Sequence, residues 1–214
     1  MDRRRDVRET YDRIAAHFSR TREHPWPEVT TFVDGADSAR VALDLGCGNG
    51  RHAELLATRA AHVVGIDLSG ELLATARLRA DERAYADRLS LVQGDAASLP
   101  LADGTVDIAV YIAALHHLPT RTDRVRSLDE LARVLRGDGR ALVSVWAVTH
   151  GKFDADEGFD TTVDWTLPDG ETVERFYHVY DLAEFRRDIG ASRLGIESVY
   201  ESEGNCYAVV TGRP

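Results

Sequence analysis

The sequence predicts an α/β protein built on a doubly wound, mostly parallel sheet of seven strands, and three observations lead there. Strand-length apolar runs alternate regularly with helical patterns between residues 41 and 147. The first run, VALDL at 41–45, breaks at once into glycines at alternate positions, Gly46, Gly48 and Gly50, as a buried strand turning sharply into a helix would. The run at 106–113, VDIAVYIA, is almost wholly apolar, which suits a strand buried on both faces.

A length of 214 residues is enough for one such domain and short for two. Residues 1–214 are therefore read as one domain with two embellishments, an N-terminal lid helix and loop at 1–35 and an inserted loop and hairpin at 148–180. No run approaches the ~20 apolar residues of a membrane span. The start, MDRRRDVRET, has no apolar segment of the kind a signal peptide needs, so the expected setting is the cytoplasm, with no membrane contact. Two cysteines, Cys47 and Cys206, can build neither a disulfide framework nor a zinc cluster, and no metal is expected.

Thirty-six acidic residues against 26 basic ones give a net charge of −10, and Lys152 is the sole lysine. Such an acidic, arginine-over-lysine composition suggests a halophilic protein, although a GC-rich genome alone would also favour arginine. Screening shortens to ~3 Å at molar salt, so the negative charge does not exclude a nucleic-acid substrate.

The elements follow in order. Val7, Tyr11, Ile14, Ala15 and Phe18 make a helical stripe whose other face holds Arg4, Arg5, Arg8 and Arg13, and Pro25 and Pro27 end it. After the first strand and the glycines, a helix is expected at 51–60, strand two at 62–67, and a helix capped by Ser69 running to Arg79. Strand three is 89–93 and strand four 106–113. A helix at 122–136 is stopped by Gly137 and Gly139, and strand five is 140–147. Pro168, Asp169 and Gly170 separate two β-rich runs, 161–167 and 171–177, as a hairpin turn would. A short helix at 181–189 and strands at 196–202 and 207–212 close the chain.

The chemistry gathers at strand ends. The spacing GxGxG, with Arg51 next, fails the GxGxxG fingerprint of a pyrophosphate-binding turn. Alternate glycines with Asp44 two residues before them suit a ligand without a pyrophosphate, whose cationic amino group sits near that acid. S-adenosylmethionine has this shape. Asp67, 21 residues after Gly46, is spaced to reach ribose hydroxyls, and Asp95 is placed to accept from an adenine amino group. Tyr11, Asn49, Leu68, Ala96 and Ile112 complete the expected cofactor-binding set.

The motifs that extend beyond this core resemble one family, the tRNA wobble-uridine carboxymethyl methyltransferases, which include the methyltransferase domain of the AlkB-homologue tRNA enzyme. The matching stretches are Tyr11, HFSRTREHPWP from His17, LDLGCGNG from Leu43, IAALHHLPT from Ile112, ELARVLRGDGRALVSVWA from Glu130, VDW from Val163, RFYHVY from Arg175 and EGN from Glu203. In two places the chain departs from the family. Asp164 stands where VPW has proline, and Cys206 stands where a tryptophan usually follows EGN.

The resemblance implies a class I methyltransferase sheet of order 3-2-1-4-5-7-6. It implies esterification of the carboxylate of a 5-carboxymethyl group on the wobble uridine in a tRNA anticodon loop. It also implies a small, zinc-binding activator subunit covering the edge strand near Leu89 to Gln93, hence a heterodimer. A carboxylate is already ionised at neutral pH, so such a reaction needs no general base. It needs cations or donors to hold the carboxylate, and aromatic rings on which an extruded base can stack.

Arg22 is the first candidate to grip that carboxylate, because its fork binds bidentately. His116, His117 and His178 are further candidate donors, and Tyr11, Trp26, Trp165 and Tyr177 candidate stackers. Tyr177 and His178 are adjacent on a strand and cannot both face the site. Two other readings remain. One is a small-molecule O- or N-methyltransferase, which would need His116 or His117 as proton acceptor; the other is a non-catalytic cofactor-binding scaffold subunit.

Overall fold

The computed structural model describes residues 3–212, with side chains from Arg5 onward. Its main sheet consists of β1 (Ala39–Leu45), β2 (Ala60–Asp67), β3 (Leu89–Gln93), β4 (Val106–Ile112), β5 (Leu135–Trp146), β8 (Gly195–Ser202) and β9 (Asn205–Thr211). β6 (Phe159–Thr166) and β7 (Thr172–Val179) pair as a separate antiparallel hairpin between β5 and the last helix. The helices are α1 (Arg3–Arg20), α2 (Pro27–Asp34), α3 (Arg51–Leu56), α4 (Gly70–Glu82), α5 (Arg121–Val134) and α6 (Leu182–Ala191).

The sheet order is β3-β2-β1-β4-β5-β9-β8, parallel from β3 to β5 and antiparallel at β9 and β8. With the hairpin set aside, this is the expected 3-2-1-4-5-7-6. Alternation along each strand divides the core between two faces. Leu43, Ile66 and Tyr111 pack with Leu128 and Phe185 under α5 and α6, while Ala42, Val63 and Val110 pack with Val33 and Leu56 under α2 and α3.

Three local readings change. The segment after Trp26 is a helix, not a loop: Pro27 opens α2 at a position that needs no N–H, and Val29 and Val33 bury one side of it. The helix after the glycines ends at Leu56, four residues early. α5 ends at Val134, and Gly137 and Gly139 lie inside β5 rather than capping the helix. The pairing jumps there from Val106 with Leu135 to Ile108 with Arg140, and a Cβ on Gly139 would stand 2.8 Å from the Val106 carbonyl oxygen.

α1 lies across the C-terminal ends of the parallel strands. The Ser69 hydroxyl donates to Asp12 at 2.6 Å, and that of Ser19 to Thr75 at 3.0 Å, which fixes α1 to α4. On its other flank, the Trp165 indole N–H donates to His17 Nδ1 at 3.1 Å and Arg13 pairs with Glu171, both on the hairpin side. No described helix is long and apolar enough to cross a membrane.

Candidate active site

Beneath α1 and the hairpin is a cavity of about 590 Å³ at the C-terminal ends of β1, β2 and β4. At one end the chain turns from β1 into α3. Gly46 has φ +69, and a Cβ on it would lie 2.4 Å from that of Ala114, so only glycine passes. Asp67 accepts from the Gly48 N–H at 2.8 Å and from the Ser69 N–H at 2.9 Å. This ties the glycine turn to the end of β2 and leaves carboxylate lone pairs turned to the cavity. Burial raises the Asp67 pKa, against the pull of these backbone donors. Asp95, whose Oδ1 accepts from the Ala97 N–H at 2.8 Å, lines the same region with Gly46, Leu68, Ala96 and Ile112.

Three residues expected to touch a cofactor are placed otherwise. Asp44 is fully buried below the turn rather than on the cavity wall, and its carboxylate has no partner beyond the Ala53 backbone N–H. Burial, helped by nearby Asp67, pushes its pKa up to about 7. Gly50 is also behind the wall: with φ +77 it starts α3, and a Cβ there would stand 3.1 Å from that of Ala76 on α4. Asn49 lines the cavity, but its amide nitrogen donates to the carbonyls of Ser19 and Arg22 at 3.3 and 3.0 Å, which holds the segment after α1 on the glycine turn.

The opposite end is aromatic and cationic. Tyr11, Arg22, His116, His117 and Tyr177 line it, while Trp26 lines the cavity nearer the glycine turn, with the Arg51 guanidinium carbon 5.5 Å from its ring centroid. His117 Nδ1 meets the Phe176 carbonyl at 2.8 Å, so that nitrogen carries the proton. Nε2 is therefore the acceptor, and the Tyr11 hydroxyl donates to it at 2.7 Å. His116 Nδ1 accepts from the Trp146 N–H at 3.0 Å. Burial is the main reason both rings stay neutral: His117 is pushed down to about 4, and His116 lies well below its usual value. Trp146 lines the cavity too, but Tyr177 stacks on it at 4.4 Å and His150 at 4.8 Å, so its faces are covered.

Two expected substrate residues are corrected. His178 faces away from the cavity, held by Asp160 at 2.7 Å and Glu184 at 2.9 Å, since it must project opposite to Tyr177. Trp165 stands one layer out. Its ring supports the guanidinium groups of Arg22 and Arg175, whose carbons lie 5.5 and 4.8 Å from its centroid, and does not itself line the cavity.

Arg175 is the residue sequence reasoning missed. It is only 4% exposed, lines the cavity and leaves Nε without a hydrogen-bond partner. The signal was its spacing, two residues before Tyr177 on one strand and hence on the same face. The acids lining the cavity are Glu23, Asp67 and Asp95. Glu23 is paired with Arg83 and Arg79, and the other two lie at the strand-end acid cluster.

A crevice at the carboxyl ends of parallel strands, with a glycine turn and convergent acids, defines a nucleotide-type cofactor site. Known proteins agree. The family described as "Methyltransferase domain" matches residues 43–143. A protein of Encephalitozoon cuniculi that carries the name methyltransferase is 33% identical over 185 residues, covering 83% of this chain and 81% of that protein. The tRNA (carboxymethyluridine(34)-5-O)-methyltransferase ALKBH8 of Mus musculus is 36% identical over 142 residues, 66% of this chain; the match spans only 20% of that longer relative.

Among solved structures, a DhpI complex with S-adenosylhomocysteine has a TM-score of 0.77 at 18% identity, covering 99% of this chain and 97% of that one. A chain from the complex between the Haloferax volcanii Trm112 methyltransferase activator and its methyltransferase has a TM-score of 0.72 at 18% identity, covering 97% and 98%. The chain belongs to the class I S-adenosylmethionine-dependent methyltransferases. The donor set fits that cofactor: Asp67 and Asp95 for the nucleoside, and the open glycine turn, with Asp44 buried behind it, for an amino-acid end.

Proposed function

We propose that the protein methylates a tRNA, esterifying the carboxylate of a 5-carboxymethyl group on the wobble uridine in the anticodon loop. The relative named a tRNA (carboxymethyluridine(34)-5-O)-methyltransferase supports the substrate. The observation that carries the chemistry is the commitment of His117. Both its nitrogens are engaged and its pKa is low, so it is not poised to take a proton. A small-molecule O- or N-methylation that drew on this base is disfavoured, whereas a carboxylate needs no base.

The cofactor supplies a methyl group on a sulfonium, and the chain's task is positioning. Arg22 holds the substrate's charge, Trp26 and Tyr177 flank the base, and Tyr11 and Phe18 on the lid formed by residues 1–35 cover it. His116 and His117 act as neutral, fixed walls that orient β5 and Tyr11. Asp67 and Asp95 hold the nucleoside, and Asp44 favours the cofactor's amino group through the glycine turn.

The partner is proposed as a small zinc-binding activator on the free edge of β3. Leu91 and Val92 are only partly buried there, and Leu78, 62% exposed, stands on neighbouring α4. The match to a chain solved with such an activator supports a heterodimer. The acidic, lysine-poor composition supports a cytoplasm of high salt, in which the tRNA backbone is screened. Nucleoside mass spectrometry of tRNA from a strain lacking the gene tests this reading. Accumulated carboxymethyluridine with loss of its methyl ester is expected; an unchanged ester, as for a scaffold or a small-molecule enzyme, would refute it.

A further inference from the structure

We infer that Arg175 is the deep carboxylate-binding residue of the substrate pocket, with Arg22 as an outer, second cation; this rests on the wobble-uridine reading. A guanidinium cannot shed its proton at any ordinary pH, and a buried charge is tolerated when something of opposite charge meets it. Arg175 is 4% exposed and its Nε has no partner. Its company is uncharged: the rings of Trp165 and Tyr177 lie 4.8 and 5.2 Å from the guanidinium carbon, and the groups it hydrogen-bonds are the Tyr11 and Tyr177 phenols.

Among the described residues no carboxylate forms an ion pair with it, although Asp6, Asp160 and Glu174 share with it the lining of a second, outer cavity. Glu174 is the adjacent residue on β7 and projects to the other face, and Asp164, opposite Glu174 in the register, is exposed on that outer side too. Facing it from α1 and from the segment after β4 are Tyr11, a phenol that burial keeps protonated, and the neutral His117. What remains nearby is a second cation, Arg22, which is more exposed and whose Nη1 already donates to the Thr21 carbonyl at 3.1 Å. The deep end of the pocket is therefore an anion site lacking its anion. Its flanking rings hold one guanidinium in a fixed plane, which suits the two parallel bonds of a carboxylate.

The test compares two anticodon stem-loop RNAs, one carrying 5-carboxymethyluridine at the wobble position and one carrying its neutral isostere, 5-carbamoylmethyluridine. Affinity is measured with S-adenosylhomocysteine present, for the full chain with any activator subunit it requires. The wild type is expected to prefer the carboxylate RNA by about 30-fold or more, the size of effect lost when one partner of a buried charge pair is removed. Arg175→Gln should erase the preference, Arg175→Lys should restore part of it, and S-adenosylhomocysteine affinity by calorimetry should be the same in all three.

If Arg175→Gln keeps the preference, or weakens cofactor binding as much as RNA binding, the assignment of Arg175 is wrong while the wobble-uridine reading stands. If the wild type itself shows no preference, the reading and the assignment fall together.

Discussion

The Tyr11 hydroxyl donates to His117 Nε2 at 2.7 Å, joining the lid helix to the segment that follows β4. The bond uses the one nitrogen of His117 that could have served as a base, because the other already donates to Phe176. A glutamine can make both bonds with its own amide. His117→Gln is therefore expected to keep kcat on modified RNA within about tenfold, whereas removing a general base costs about 10²–10⁴. A loss of the latter size in steady-state kinetics would restore the histidine as a proton acceptor.

Removing the donor has a different consequence. Tyr11→Phe leaves His117 Nε2 part-buried and unpaired and removes one of the ties between the lid and the floor of the site. Urea unfolding should show a loss of about 1–3 kcal/mol, and no loss would mean that the Tyr11–His117 bond adds nothing to the other ties that hold α1.

Asp67 does two jobs that one substitution exposes together. Asp67→Ala removes the acceptor for the Gly48 and Ser69 N–H groups as well as the proposed ribose contact. Calorimetry should show S-adenosylhomocysteine binding weakened by about 10–100-fold, the range for hydrogen bonds to a charged group. An unchanged affinity would dismiss the ribose role.

Asp44 makes a pH prediction with a definite sign. Its folded pKa of about 7 lies above the unfolded carboxylate value of about 3.9, so the native state binds more protons between them. The stability it contributes is present below the unfolded value and lost as pH rises through about 7. Asp44→Asn, which mimics the protonated form, should become more stable relative to wild type as pH rises from 4 to 7, and level off above. Calorimetric melting of the cofactor-free proteins measures this difference; a difference independent of pH would contradict it.

The sheet was legible in the sequence because its strands are long apolar runs bounded by glycine and acid, and β3 was read to the residue. Failures came where a short element or a backbone detail was decided by neighbours. α2 has only eight residues and starts at a proline that looks like a stop. Gly139 reads as a helix terminator, but what demands it is a strand carbonyl 2.8 Å from its missing Cβ.

In the site, glycine and acid spacing pointed to the strand-end cavity, yet could not tell that Asp44 lies under the turn and Asp67 on the wall. Arg175 was overlooked because an arginine on a surface-like hairpin reads as solvated. Its burial comes from Trp165 and Tyr177, a contact between strands that periodicity alone does not disclose.

The central claim is that the methyl group ends on a carboxylate oxygen. The most direct measurement incubates the protein, with any activator subunit it requires, with undermodified tRNA and S-adenosylmethionine labelled in the methyl group, then treats the RNA with mild alkali. The account predicts that the label is released as methanol and that carboxymethyluridine is regenerated, because an ester is hydrolysed. Label that stays on the nucleoside after alkali would place the methyl on nitrogen, carbon or ribose and would contradict the account.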